Sequence, residues 1–86
     1  MSLLFLKLIS DNAGKKIKKE RKAWGMSRRR LAKLTYTDHE TIESIENGYV
    51  CMLDFKLLRN ICKILQISIF DFFIRPVSEE DILAMV

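Results

Sequence analysis

The side chains best suited to covalent or metal chemistry are sparse. There is one histidine, His39, and two cysteines, Cys51 and Cys62. A nucleophile needs an adjacent base, and the base needs a third group to orient it. No Ser/His/Asp or Cys/His set can be assembled around this single histidine, and no glycine-rich phosphate loop occurs. Two cysteines make neither a disulfide framework nor a metal-ligand set. Both read as free thiols of a reducing compartment, with Cys62 at a core-type position. No catalysis, no metal and no cofactor are expected, and His39 reads as a surface or groove residue.

The remaining chemistry is that of charge. The formal net charge is +4 over 86 residues, but its distribution is uneven. Residues 1–34 hold 11 Lys and Arg against 2 acids, whereas residues 35–50 hold 4 acids and no base. Residues 51–75 carry +2 and residues 76–86 carry −3. A basic half of this kind is the electrostatic footprint of a polyanion binder. The lysines of "KKIKKERK" read as a solvated face that steers rather than as specific contacts.

The elements that position these charges are helical. Gly is 3 and Pro is 1, too few turn residues for a β-sandwich. Eighty-six residues make one small domain. No apolar run reaches the roughly 18 residues that span a bilayer, and none has the flanks of a signal peptide. "LLFLKLIS" (3–10) fits either a strand or a helix, so residues 1–12 read as an apolar extension. Ser10, Asp11 or Asn12 can cap a first helix that runs to about Trp24 and ends at Gly25. It sets Ala13, Ile17 and Trp24 along one face, with Arg21 between them. Ser27 caps a second helix, "RRRLAKLT", with Leu31 and Leu34 inward. Asp38 caps a third, "HETIESIEN", closed by Gly48. Asp54 caps a fourth, "FKLLRNICKILQ", and Ser68 a short apolar fifth stopped by Pro76. Ser78 and Asp81 resemble a capping box opening a last piece, "EEDILAMV". The main domain is thus expected over residues 13–75, with a tail over 76–86.

Two short helices joined by a tight turn, the second closing in "IENG", form the arrangement of a helix-turn-helix over about residues 27–47. Residues 13 to 73 resemble the lambda-repressor-like, Cro/cI-type (Xre) family. The resemblance rests on Ile17 and Arg21, on Met26, Ser27, Leu31 and Ala32, on "I…IENG" (Ile42, Ile45, Glu46, Asn47, Gly48), and on Leu65, Ile67 and Ser68. It implies an all-α, five-helix bundle that places its third helix in the DNA major groove. It also implies that His39, Glu40 and Ser44 face the bases, with Thr41 and Asn47 on the same surface, and that Ser27, Arg28 and Arg29 meet phosphates. Free N–H groups and the dipole at that helix terminus favour an anion as well. Family members pair an arginine with a glutamate, which here implies a structural ion pair of Arg21 and Glu46. Two departures stand out. The turn position usually held by Gly is Tyr36, which would be strained in a left-handed conformation and, with Thr37, could reach the DNA backbone. The loop Tyr49–Leu53 lacks the usual basic residues.

The acids of the third helix separate by helical angle, since successive residues turn by a little over a quarter of a circle. Ile42 marks the core side. Glu46, just over one turn later, falls beside it and points inward. Glu43 falls on the flank. Asn47, Glu40 and Ser44 fall on the outer side, opposite Ile42. Asp38 is a cap. Only Glu40 clearly faces a groove, where a carboxylate can accept from cytosine N4.

The fourth helix has two apolar stripes: Leu58, Cys62 and Leu65 on one, Leu57, Ile61 and Ile64 on the other. Phe70, Phe72, Phe73 and Ile74 add to this excess. Either the terminal extensions cover it, or a second copy does. A homodimer through Leu57, Ile64, Phe70, Phe73 and Ile74 is expected. The functional expectation is a cytoplasmic, bacterial, sequence-specific transcriptional regulator, with repressor or activator left open. It would bind double-stranded DNA at a palindromic operator, with no membrane or small-molecule partner. The alternative is a protein-interaction module of antitoxin-like or anti-repressor kind on the same fold.

Overall fold

The computed structural model describes residues 3–86. Among them are six α-helices: α1 (Leu3–Leu8), α2 (Ala13–Ala23), α3 (Arg28–Leu34), α4 (His39–Glu46), α5 (Phe55–Leu65) and α6 (Glu79–Met85). Two 3-10 turns, Val50–Met52 and Ile69–Phe72, complete the order. The expected all-α bundle is present as α2 to α5 plus the Ile69–Phe72 turn. The expected helices one to four are therefore α2 to α5.

Polar caps set most of the starts. Ser27 Oγ accepts from the Arg30 N–H at 3.0 Å, and Asp54 Oδ1 accepts from the Leu57 N–H at 2.7 Å. Such a cap satisfies one of the orphan donors of a first turn and contributes about 1 kcal/mol. Ser78 and Asp81 form a reciprocal capping box at the start of α6. At α2 the side chain of Asn12 makes no cap bond. Ser10 Oγ accepts from the Asn12 N–H instead, at 3.1 Å.

The core lies where α2, α3, α4 and α5 converge. Ile17, Leu31, Ile42, Ile45, Leu58 and Ile61 are each fully buried there. One approach is too close for any side chain. A Cβ added to Gly14 of α2 would sit 1.9 Å from the Ile45 carbonyl oxygen of α4. Glycine therefore fixes how near α2 can lie to α4. Cys62 is in the core, and burial pushes its thiol up to about 12, which leaves it uncharged and inert at neutral pH.

The 3–10 segment is helical over α1, and it is structural. Phe5 is fully buried and meets Phe55 and Phe73 edge-on, with ring centroids 6.4 and 6.2 Å apart. The Ser10 N–H donates to the Phe72 carbonyl and the Ile74 N–H to the Leu8 carbonyl, both at 2.8 Å. α6 packs against α1 and buries Met85. Met1 and Ser2, the first residues of the expected 1–12 extension, lie outside the described residues.

Two expectations change. Phe73, expected at a dimer interface, is only 8% exposed, because Phe5 of the same chain covers it. Trp24, expected along one face with Ala13 and Ile17, is 52% exposed whereas those two are buried. It follows the last residue of α2, and its indole N–H needs an acceptor. It finds the Leu65 carbonyl at the end of α5, at 3.0 Å, so the ring lies across the surface.

Alanine in place of a helical glycine usually stabilises by up to about 1 kcal/mol. Gly14→Ala should do the reverse, destabilising by about 3 kcal/mol through overpacking against α4, as measured by urea denaturation.

Candidate nucleic-acid interface

The turn between α3 and α4 is held from both ends. Thr35 Oγ1 donates to the Leu31 carbonyl at 2.8 Å, and the Thr37 N–H donates to the Ala32 carbonyl at 3.0 Å. Between them Tyr36 takes φ +62°, the left-handed conformation that its position in the turn demands. Its side chain is 93% exposed, so the strain has no packing to offset it. Asp38 Oδ1 then accepts from the Thr41 N–H at 2.8 Å and from the Thr41 hydroxyl at 2.7 Å. These bonds hold the Asp38 carboxyl below the usual range and start α4. They also engage Thr41 in the cap, which uses its hydroxyl hydrogen and leaves its oxygen only as an acceptor.

On the outer side of α4, Glu40, Glu43 and Asn47 are exposed, while His39 and Ser44 are half-buried. His39 Nδ1 lies 3.6 Å from Glu40 Oε2. Ser27, Arg29 and Arg30 are exposed at the start of α3, and Thr37 is half-buried in the turn. Beside the turn an open groove runs to the start of α5, lined by Tyr36, Thr41, Met52, Lys56, Leu57 and Asn60. Leu57, expected at a dimer interface, is half-buried and lines this groove. Ile64 is half-buried against the core. Phe70 and Ile74 are 56% and 64% exposed.

Under this surface Glu46 is turned inside, its side chain fully buried. Arg21 grips it with two bonds, Nε to Oε2 at 2.7 Å and Nη2 to Oε1 at 3.0 Å. Arg21 Nη1 also donates to the Met26 carbonyl at 2.6 Å, which ties α2, the loop before α3, and α4 together. Arg28 joins the cluster: its Nε donates to Glu46 Oε1 at 3.0 Å. Sequence reasoning set Arg28 against phosphate alone and missed this bond. The signal was available only as spacing in space, since Arg28 and Glu46 are 18 residues apart. Burial pushes the Glu46 carboxyl up, but the bonds from Arg21 and Arg28 outweigh it and the net direction is down. The three groups together carry +1.

The helix-turn-helix family model matches residues 17–72, the span that holds α3, the turn and α4. This chain belongs to the Cro/cI-type helix-turn-helix family. The matched span is a helix-turn-helix domain, of the kind that supports DNA binding, on the lambda-repressor-like bundle. No curated protein matches the chain. Among solved structures, the crystal structure of CoII HppE in complex with substrate matches with a TM-score of 0.67 and 25% identity over 83% of this chain. This chain covers only 39% of that protein, and the cobalt and substrate belong to it. No helix among the described residues is long and apolar enough to cross a membrane.

Two outcomes follow. Because the Glu46 carboxyl is depressed on folding, its contribution is present above the unfolded value of about 4.3 and is lost as pH falls through the lower folded value. Glu46→Gln should cost about 3 kcal/mol at pH 7, and its deficit against wild type should shrink steadily below about pH 4.3 in urea titrations. Tyr36→Gly should raise the unfolding free energy by about 1 kcal/mol by removing the left-handed strain, as read from the thermal midpoint.

Proposed function

We propose that this chain is a sequence-specific transcriptional regulator that binds a palindromic operator as a homodimer in the bacterial cytoplasm. The observation that carries this reading is the division of charge on α4. Glu46 is sunk beneath two arginines, while Glu40 and Asn47 on the opposite side are exposed and Ser44 between them is half-buried. α3, which packs against α4, bears exposed Arg29 and Arg30 near its start. A phosphate backbone laid there meets guanidinium groups and helix-terminal N–H donors, and α4 lies at the bases. His39, Glu40 and Ser44 take the base-facing role, with Tyr36 and Thr37 at the backbone.

The dimer rests on Phe70 and Ile74, which are exposed although both are large and apolar. Association through them would set two copies of α4 about one helical turn, roughly 34 Å, apart on the operator. Exposed Glu40 and Glu43, together with a loop at 49–53 without any cation, favour a second reading. In it the same face binds a basic protein surface.

Gel shifts on operators selected from a random duplex pool distinguish the two. DNA binding should weaken steeply between 50 and 200 mM salt, and Arg29→Ala should lower the slope of log affinity on log salt by about 0.9. Phe70→Asp should give a monomer by sedimentation and weaken operator binding. Affinity that ignores salt, or a protein that binds no duplex at low salt, contradicts the reading and supports the protein-interaction alternative.

A further inference from the structure

Resting on that DNA-binding reading, we infer that Glu46 is a positioning residue for DNA. It aims Arg28 at a phosphate, beyond its pairing with Arg21 inside the fold.

Glu46 has two carboxylate oxygens and three guanidinium bonds. Arg21 alone suffices to neutralise it, since it makes a two-point contact to both oxygens. The Arg21 guanidinium is spent inside the fold: its third nitrogen donates to the Met26 carbonyl, and its side chain is 8% exposed. Arg28 differs. It gives Glu46 only its Nε, and a third of its side chain is open to solvent. Its Nη1 and Nη2, with four N–H donors between them, make no hydrogen bond among the described residues.

A free arginine loses much rotamer freedom when it meets a phosphate. Glu46 has already removed that freedom by holding the Nε end. What remains is a planar fork fixed at the root, the geometry that suits two-point phosphate contact. Exposed Arg29 and Arg30 have no such restraint and act as mobile charge.

This assignment opposes simple electrostatics in sign. Replacing Glu46 by Gln changes the cluster from +1 to +2, so charge alone would tighten DNA binding. Positioning requires the opposite. Affinities are measured for wild type, Glu46→Gln, Arg28→Ala and the double variant on one selected duplex, each corrected for its folded fraction by circular dichroism. Glu46→Gln should weaken binding on the order of tenfold in the wild-type background and by less than about twofold when Arg28 is already Ala. Arg28→Lys retains the charge but lacks the guanidinium fork, and it leaves the Arg21–Glu46 pair in place. It should also lose on the order of tenfold while keeping the wild-type salt slope. Tighter binding by Glu46→Gln, equal losses in both backgrounds, or wild-type affinity in Arg28→Lys overturns the inference. Each of those results leaves the DNA-binding reading standing, whereas a wild-type protein that shifts no duplex ends both.

Discussion

The structure depends on a buried carboxylate held by two arginines. Glu46 closes α4 on the core side, where an unpaired charge could not be kept. Arg21 answers it from α2 and Arg28 from α3. The ion cluster therefore fixes the relative setting of three helices with one group. A buried ion pair adds little net stability compared with well-packed apolar groups; what it does here is specify. Gly14 adds a second constraint on the same two helices, because α2 can approach α4 so closely only without a side chain at that point. The angle at which α4 presents its outer face is set from beneath by these two contacts.

The terminal segments solve a separate problem. α5 carries more apolar surface than a small bundle can bury. α1 and α6 supply cover from within the chain: Phe5 seals Phe55 and Phe73, and Met85 closes in beside α1. The cover is incomplete. Phe70 and Ile74 stay exposed, while Leu57 borders the groove beside the turn. What was read as one apolar excess thus separates into an internal part and an outward part.

Features with a local cause were legible in the sequence. Ser27, Asp38, Asp54, Ser68 and Ser78 each accept a bond from a backbone N–H in the first turn of the element that follows, because a cap and its helix are neighbours in the chain. The left-handed turn residue sits at Tyr36. The inward turn of Glu46 follows from helical angle alone. What was not legible depends on distance between segments. No angle on α3 reveals that Arg28 leans onto Glu46. Nor does any pattern show that Phe73 is met by Phe5, or that Trp24 finds its acceptor on Leu65, 41 residues away. The helical character of residues 3–8 was undecided because six apolar-rich residues satisfy both periods. The packing of Phe5 into the core is what resolves it.

The central claim is that the outer side of α4, with Tyr36 and the start of α3, is the surface that meets DNA. Titrating the isotopically labelled protein with a selected duplex and following its backbone amides by NMR tests this most directly. The account predicts that the largest shifts fall at residues 27–30, at Tyr36 and Thr37, and at residues 39–47, with α1 and α6 little changed. Shifts concentrated on α1, α6 or the lysine face of α2, with residues 39–47 unmoved, would contradict it.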